Sequence, residues 1–596
     1  MLFRSARGRS WIVAAVAVTA IAGSSVAVPA HATPTPERSE SIVDSAAGPS
    51  DVITSYVTLD SPLPSAAGPR PEACDRIGYL RFRHADGPQR SSEADAIVTA
   101  QPGFYAGAAS LAINARQVVA KAAAQGRHIE YWAISRRSNC LVDNTGLLAA
   151  ERSGDAGVAL DYYFHGKPVD GKVFEGFLDW SRLGFLRSID QVQTIGDWRR
   201  IVTEAVPDPA TGPTVFCGGH SYGGLVTSLL AGWDFDGDPA TTADSGAALC
   251  SGGVFALDTL VSTDPAGLAR NPVLGPLAGA AGAVANTAAS TLVAAGVAPD
   301  TDTLIGATPM VFTLVTIAAL AAYFAPDRES DLLRRLPHNL QLDANLQVLL
   351  GRSPLDPAVR DFRFTNAALF GALMDKNSQF IAGFQAGVGS FDGCPVGDRS
   401  FPLPQWIADI PLVGPVIDRT AGPGGAKVGP LDPAVLCGWR GYREEPQPRA
   451  DGSPYETRES NVTDLRELAL SMFDTPATMF EPYFPTMLQL DNTAFTQAYA
   501  RSGKFANLLW PEASRQLPTL TVLGGEGIVA EPLRLVSPLF ALLNPAVPLL
   551  PAEAVQAPHY RHADVVSAAA EQNDGEPEKV STALADFIVE HSDRNG

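Results

Sequence analysis

The chain predicts an α/β fold: a mostly parallel sheet with helices on both faces, interrupted by a large, mainly helical cap insertion. Three observations carry this. Short apolar runs alternate with helical-period stretches across residues 76–258, the pattern of strands buried on both faces of a parallel sheet. The same alternation resumes over 516–596. Between them, 259–515 breaks it, being Ala/Gly/Leu-rich and then Pro/Gly-rich around 401–432. That stretch reads as one long insertion between two sheet strands.

Taken in order, residues 1–32 read as a secretory signal peptide. Arg4, Arg7 and Arg9 precede an apolar run from 11 to 28, and Ala30-His31-Ala32 supplies a small-residue cleavage site. An uncleaved anchor is the alternative; export to the extracellular space is the expectation. Residues 33–75, rich in Pro, Ser and Ala, read as a loose lead-in. The first part of the core, 76–258, offers strands at 77–82, 96–100, 129–135, 214–217 and 247–257. Helices are expected over 109–124, over 189–202 (Ile189, Val192, Ile195, Trp198, Ile201 and Val202 recur at helical spacing) and over 225–230. The second part, 516–596, offers a strand at 520–523 and a closing helix over 580–591. Within the insertion, the uncharged run 310–325 is shorter than the about 20 residues a membrane span needs, so it reads as a buried or substrate-facing cap helix.

Composition narrows the partners. Asp and Glu number 64 against 44 Lys and Arg, a net charge of −20. So acidic a surface argues against a nucleic-acid partner, which needs basic groups to displace counterions. It argues equally against steady binding to anionic headgroups. Cys74, Cys140, Cys217, Cys250, Cys394 and Cys437 include no C-x-x-C pair, so zinc is not expected. In an exported chain an even count reads as disulfides. Cys394 and Cys437 share one Pro/Gly-rich region and are expected to bridge. Cys217 and Cys250 fall in buried-strand patterns and read as free core thiols. Asp234, Asp236 and Asp238, followed by Asp244, resemble the start of a calcium loop. The glycine falls at position four rather than six and no glutamate closes the loop, so a hydrated acidic turn is preferred. No cofactor is expected.

Gly219-His220-Ser221-Tyr222-Gly223 matches G-x-S-x-G. In a chain with 54 glycines the letters alone say little. Their context says more: a buried strand precedes them and a helical run follows. A serine projected from a sharp strand-to-helix turn needs strained backbone, with glycines two before and two after to avoid Cβ clashes. On these residues, over 76–258 and 516–596, the chain resembles the α/β-hydrolase superfamily. The resemblance implies an α/β-hydrolase sheet in which Ser221 attacks an acyl carbonyl, a histidine near the C-terminus takes its proton, and an Asp or Glu orients that histidine. It also implies an oxyanion hole formed by the Tyr222 N–H and one N–H after the third strand. Phe104, in Gln101-Pro102-Gly103-Phe104, is preferred there to His165-Gly166-Lys167. For the base, His562 in His562-Ala563-Asp564 is preferred to His559. For the acid two positions stay open. Asp258 ends the strand after the elbow, and Glu526 sits in Gly524-Gly525-Glu526-Gly527.

The expected activity is hydrolysis of carboxylic esters through an acyl-enzyme. The apolar cap points to a hydrophobic acyl or alcohol part, a small apolar substrate, and transient contact of the cap with a membrane or lipid surface. Two other readings are carried forward: a secreted peptidase of the same superfamily, and a catalytically inactive hydrolase scaffold that binds a partner.

Overall fold

The computed structural model describes residues 38–45, 48–179, 182–207, 211–261, 291–293, 299–301, 307–351, 359–399, 427–493, 503–529 and 554–592. The expected signal segment, 1–32, lies outside them. In chain order the strands are β1 (Arg38–Ile42), β2 (Val52–Asp60), β3 (Arg76–His84), β4 (Ala96–Gln101), β5 (Glu130–Ser135), β6 (Thr214–His220) and β7 (Gly253–Leu257). The insertion holds β8 (Arg363–Phe364), β9 (Ser390–Asp392), β10 (Val396–Arg399), β11 (Lys427–Pro430) and β12 (Leu436–Arg440), and β13 (Thr519–Gly524) and β14 (Val555–Ala557) follow. A nine-stranded sheet runs β1-β2-β3-β5-β4-β6-β7-β13-β14. Strands β5, β4, β6, β7, β13 and β14 are mutually parallel. β1, β2 and β3 are added antiparallel.

Successive strand residues enter opposite cores, as the two-residue pleat requires. Ile97, Val215 and Val254 face one core, shared with Trp198, Ile201, Val226 and Leu229 of the helices Gln191–Ala205 and Tyr222–Gly232. Val98, Phe216 and Phe255 face the other, shared with Val118, Val119, Leu584 and Ile588 of the helices Ala112–Ala124 and Lys579–His591. With both faces covered, a central strand needs no polar alternation, which is why these runs are legible as strands at all.

The structure corrects three expectations. The lead-in over 33–75 contributes two strands. Val52–Asp60 pairs along its whole length with β3, placing Val57 and Leu59 in one core and Val52 and Tyr56 against the other. The strand expected over 247–257 begins only at Gly253. Gly246–Leu249 is a short helical turn capped by the Ser245 hydroxyl, and Gly246 is pressed so close to the carbonyl of Leu230 that a Cβ would sit 1.6 Å from its oxygen. Finally, Cys217 and Cys250 are bridged. The three disulfides are Cys74–Cys140, Cys217–Cys250 and Cys394–Cys437, the last as expected. They fit an oxidising, extracellular-type environment.

The Cys217–Cys250 bridge closes a loop of sequence separation 33 around the helix that follows Ser221. Loop-closure entropy assigns such a bridge about 3–4 kcal/mol. Cys217→Ala/Cys250→Ala is therefore expected to lose about 3 kcal/mol in urea unfolding. A midpoint unchanged from the wild type would show that the bridge carries no such constraint.

Among the described residues the insertion is mainly helical, with a three-stranded sheet, β8-β12-β9, and an antiparallel β10-β11 pair beside its helices. Its most apolar helix, Pro309–Phe324, starts at a Thr308 cap with Pro309 in the first turn. It packs on the helices Asn366–Met374 and Leu465–Ser471. Among the described residues no helix is long and apolar enough to cross a membrane.

Candidate active site

Four loops meet at the carboxyl edge of the parallel strands, where open α/β sheets leave a crevice. Ser221 follows β6, Asp258 follows β7, Pro102-Gly103-Phe104 follows β4, and His562 lies in the loop after β14. Among the described non-glycine residues, four have positive φ: Tyr105, Asp170, Ser221 and Asp258, and three of these are at this edge. Each such residue stores strain of about 1–3 kcal/mol that its surroundings must impose.

At Ser221 the imposing contacts are visible. Its φ is 56° and ψ −120°, it starts the Tyr222–Gly232 helix, and its N–H donates to the Leu257 carbonyl at 3.0 Å. A Cβ on Gly219 would lie 2.5 Å from the Gln101 carbonyl oxygen, and one on Gly223 only 2.1 Å from it. The two glycines thus let the turn press onto the end of β4. Ser221 itself is half-buried and lines the cavity described below.

Asp258 Oδ2 lies 2.5 Å from His562 Nδ1, with Asp258 fully buried and His562 3% exposed. The Asp258 carboxylate also accepts the backbone N–H groups of Gly524 (3.1 Å) and Ile528 (3.3 Å). A Cβ on Gly527 would come within 2.4 Å of Oδ2. The glycine-rich run after β13 therefore wraps the acid delivered by β7 instead of supplying one. Glu526, the other candidate, turns away to pair with Arg561 at 2.9 Å, and its N–H donates to the Tyr560 carbonyl at 3.1 Å. It fastens the loop that holds His562. His559 is exposed.

His220 supports the same loop. Its Nε2–H donates to the His562 carbonyl at 2.9 Å, and the two rings stand 4.4 Å apart. Burial and the neighbouring His562 hold its pKa well below the usual value, so the ring is neutral. Asp564 ties the loop to the insertion. Its carboxylate accepts from the N–H of Arg561 (2.8 Å), the Thr463 hydroxyl (2.6 Å) and the N–H of Gly387 (2.9 Å). Burial pushes its pKa up to about 6.

The Phe104 ring packs 4.7 Å from that of Tyr222, bringing their two backbone segments together. Among the described residues neither the Phe104 nor the Tyr222 N–H is used in a backbone hydrogen bond outside regular elements. His165-Gly166-Lys167 serves another purpose: it closes the Ala156–His165 helix, with Gly166 in the left-handed C-cap conformation.

Ser221, His562, Gly103 and Phe104 open onto one cavity of about 360 Å³. Its far walls are apolar and come largely from the insertion: Met374, Phe384, Leu468, Met472, Met479 and Phe480. No family model matches the chain, and no curated protein matches it. Function therefore rests on the site itself.

The acidic turn is arranged differently from the calcium candidate. The carboxylates that converge, within 4.8 Å, are Asp234, Asp236 and Asp244, not Asp238. They already serve the turn: Asp234 accepts from Gly237 N–H and the Trp510 indole, Asp236 from Asp238 N–H, and Asp244 from Asp236 N–H. His220, Asp564 and Gly527 stand in motifs the sequence already offered, with His220 expected to support the turn. Arg136 and Glu481 were not singled out, because no motif marks either one.

Proposed function

We propose that this chain is a secreted serine hydrolase of the α/β-hydrolase type that cleaves carboxylic esters with an apolar acyl or alcohol part. The observation that carries the reading is the buried 2.5 Å His562–Asp258 contact beside a serine held at φ 56° on the same cavity. The strand order with the serine turn after β6 supports the fold assignment. Ser221 Oγ attacks the ester carbonyl carbon as its proton passes to His562 Nε2, and Asp258 accepts the hydrogen bond from Nδ1–H. The oxyanion forms against the Phe104 and Tyr222 N–H groups. Collapse breaks the C–O bond, the leaving alcohol takes the proton from Nε2, and water repeats the sequence to release the acid.

Among the described residues no carboxylate side chain lines the cavity, which favours an ester over a peptide bearing a free amino terminus. Fluorophosphonate labelling of Ser221, with turnover of p-nitrophenyl acyl esters, is the expected result. Turnover of aminoacyl amides alone would move the reading to a peptidase, and no labelling at all would move it to a binding scaffold.

Acyl length has a physical limit here. Met472, Met479 and Phe480 line both this cavity and a smaller apolar one behind it, next to Phe312 and Leu147. A partition of two methionines and a phenylalanine stacked 4.6 Å on Phe312 is apolar and deformable. Each methylene that fits or fails to fit is worth about tenfold in kcat/KM. Met472→Ala is expected to move the preferred acyl chain of an ester series to longer lengths by opening the rear cavity. An unchanged chain-length profile would place the acyl group elsewhere.

A further inference from the structure

The segment carrying Phe104 has no regular secondary structure and yet must hold a backbone N–H to within a few tenths of an ångström for oxyanion stabilisation to matter. What holds it is a buried cation. Arg136, the residue after β5, is 4% exposed, and its guanidinium donates to three carbonyl oxygens of this one segment: Pro102 at 2.8 Å, Gly103 at 2.6 Å and Ala106 at 2.8 Å. Its charge is met by the fully buried Glu481, with Nε to Oε2 at 2.6 Å. Glu481 also accepts from the Ser138 hydroxyl, and its own N–H donates to the Tyr105 carbonyl at 2.7 Å. Further bonds from Gly107 N–H to the Met479 carbonyl (2.8 Å) and Ala109 N–H to the Thr478 carbonyl (3.2 Å) join the segment to the insertion. The guanidinium carbon also lies 5.8 Å from the Tyr222 ring centre and 5.5 Å from that of Phe484.

The Gly103 carbonyl and the Phe104 N–H belong to one planar peptide unit. A cation bound to the oxygen therefore fixes the direction of the hydrogen, and it withdraws charge from the amide, which makes the N–H a stronger donor. We infer that Arg136, paired with Glu481, is a positioning residue that orients and polarises the Phe104 peptide toward the oxyanion. This rests on the ester-hydrolase reading. It adds that the second oxyanion donor is set by an ion pair reaching from the sheet into the insertion.

The test compares the full chain with Arg136→Lys and Glu481→Gln. Lysine keeps the charge but cannot span three carbonyls. Glutamine keeps the shape but leaves the guanidinium without its counter-charge. The readouts are kcat and KM on a p-nitrophenyl ester, the inhibition constant of an alkyl trifluoromethyl ketone, whose serine adduct carries the oxyanion, and the melting temperature. Arg136→Lys is expected to lower kcat about 100-fold with KM within about threefold, and to weaken the ketone by a matching factor, as loss of one oxyanion donor does. Glu481→Gln should shift both in the same direction by less, and it carries the test if the lysine variant does not fold. A folded variant with unchanged kcat overturns the inference. So does a loss confined to KM with the ketone unaffected, because that is a packing effect. A wild type that neither turns over esters nor binds the ketone overturns the hydrolase reading, and the inference falls with it.

Discussion

Ser221→Ala is expected to abolish ester turnover, lowering kcat by about 10⁵–10⁶-fold, and to abolish fluorophosphonate labelling while leaving the fold intact. The size of the effect follows from the role. Every step of the proposed reaction passes through Oγ, so its removal leaves only binding and the oxyanion donors, whose residual acceleration belongs to a reaction with water. The fold is expected to survive because Ser221 is half-buried at a cavity wall, and its backbone is held by the Leu257 carbonyl and the glycine contacts on Gln101, which alanine does not disturb. The measurement is kcat on the best ester of a chain-length series, beside the melting temperature. A variant that keeps more than a few per cent of wild-type turnover would falsify Ser221 as the nucleophile.

The second large effect separates the two carboxylates. Asp258→Asn is expected to lower kcat by about 10⁴-fold, whereas Glu526→Gln should leave it within a few-fold. At 2.5 Å from Nδ1, an aspartate requires a hydrogen on that nitrogen and so leaves Nε2 free to accept the serine proton. An asparagine can face its NH₂ toward the ring instead, which moves the hydrogen to Nε2 and removes the base. Glu526 has no such contact. Its partner is Arg561, in a pair that is one-third exposed on the Glu526 side, and such pairs contribute little. If the two variants exchanged phenotypes, the loop after β13 would have to rearrange to bring Glu526 to the ring.

The ambiguity between these two carboxylates shows where sequence reading stops. Each stood at the end of a strand, in a position where a carboxylate can face the histidine. Nothing in either local run of letters says which one meets the imidazole, because the choice depends on how Gly524, Gly527 and Ile528 fold around a neighbouring strand's end. The same holds for Arg136 and Glu481, which are 345 residues apart in the chain. It holds too for Cys217 and Cys250, whose buried patterns looked like those of ordinary core thiols until the helix between them folded back. The lead-in differs from its expectation for a related reason: its proline- and serine-rich flanks mask a nine-residue strand whose backbone partners, β3 and β1, lie outside the local run of letters.

What the sequence alone determined is local. Apolar runs buried on both faces marked β4, β5 and β6. The two glycines around Ser221 marked a turn that only residues without side chains can make, and His562 stood ahead of the closing helix. These follow from burial period and backbone sterics, which act between near neighbours in the chain. Tertiary structure decided the choice of Asp258, the cavity walls from the insertion, the Cys217–Cys250 bridge and the Arg136–Glu481 pair. Those depend on distances between segments that are not neighbours in the chain, from 33 residues apart for the bridge to 345 for the ion pair, and such distances are set by the packing of the whole molecule.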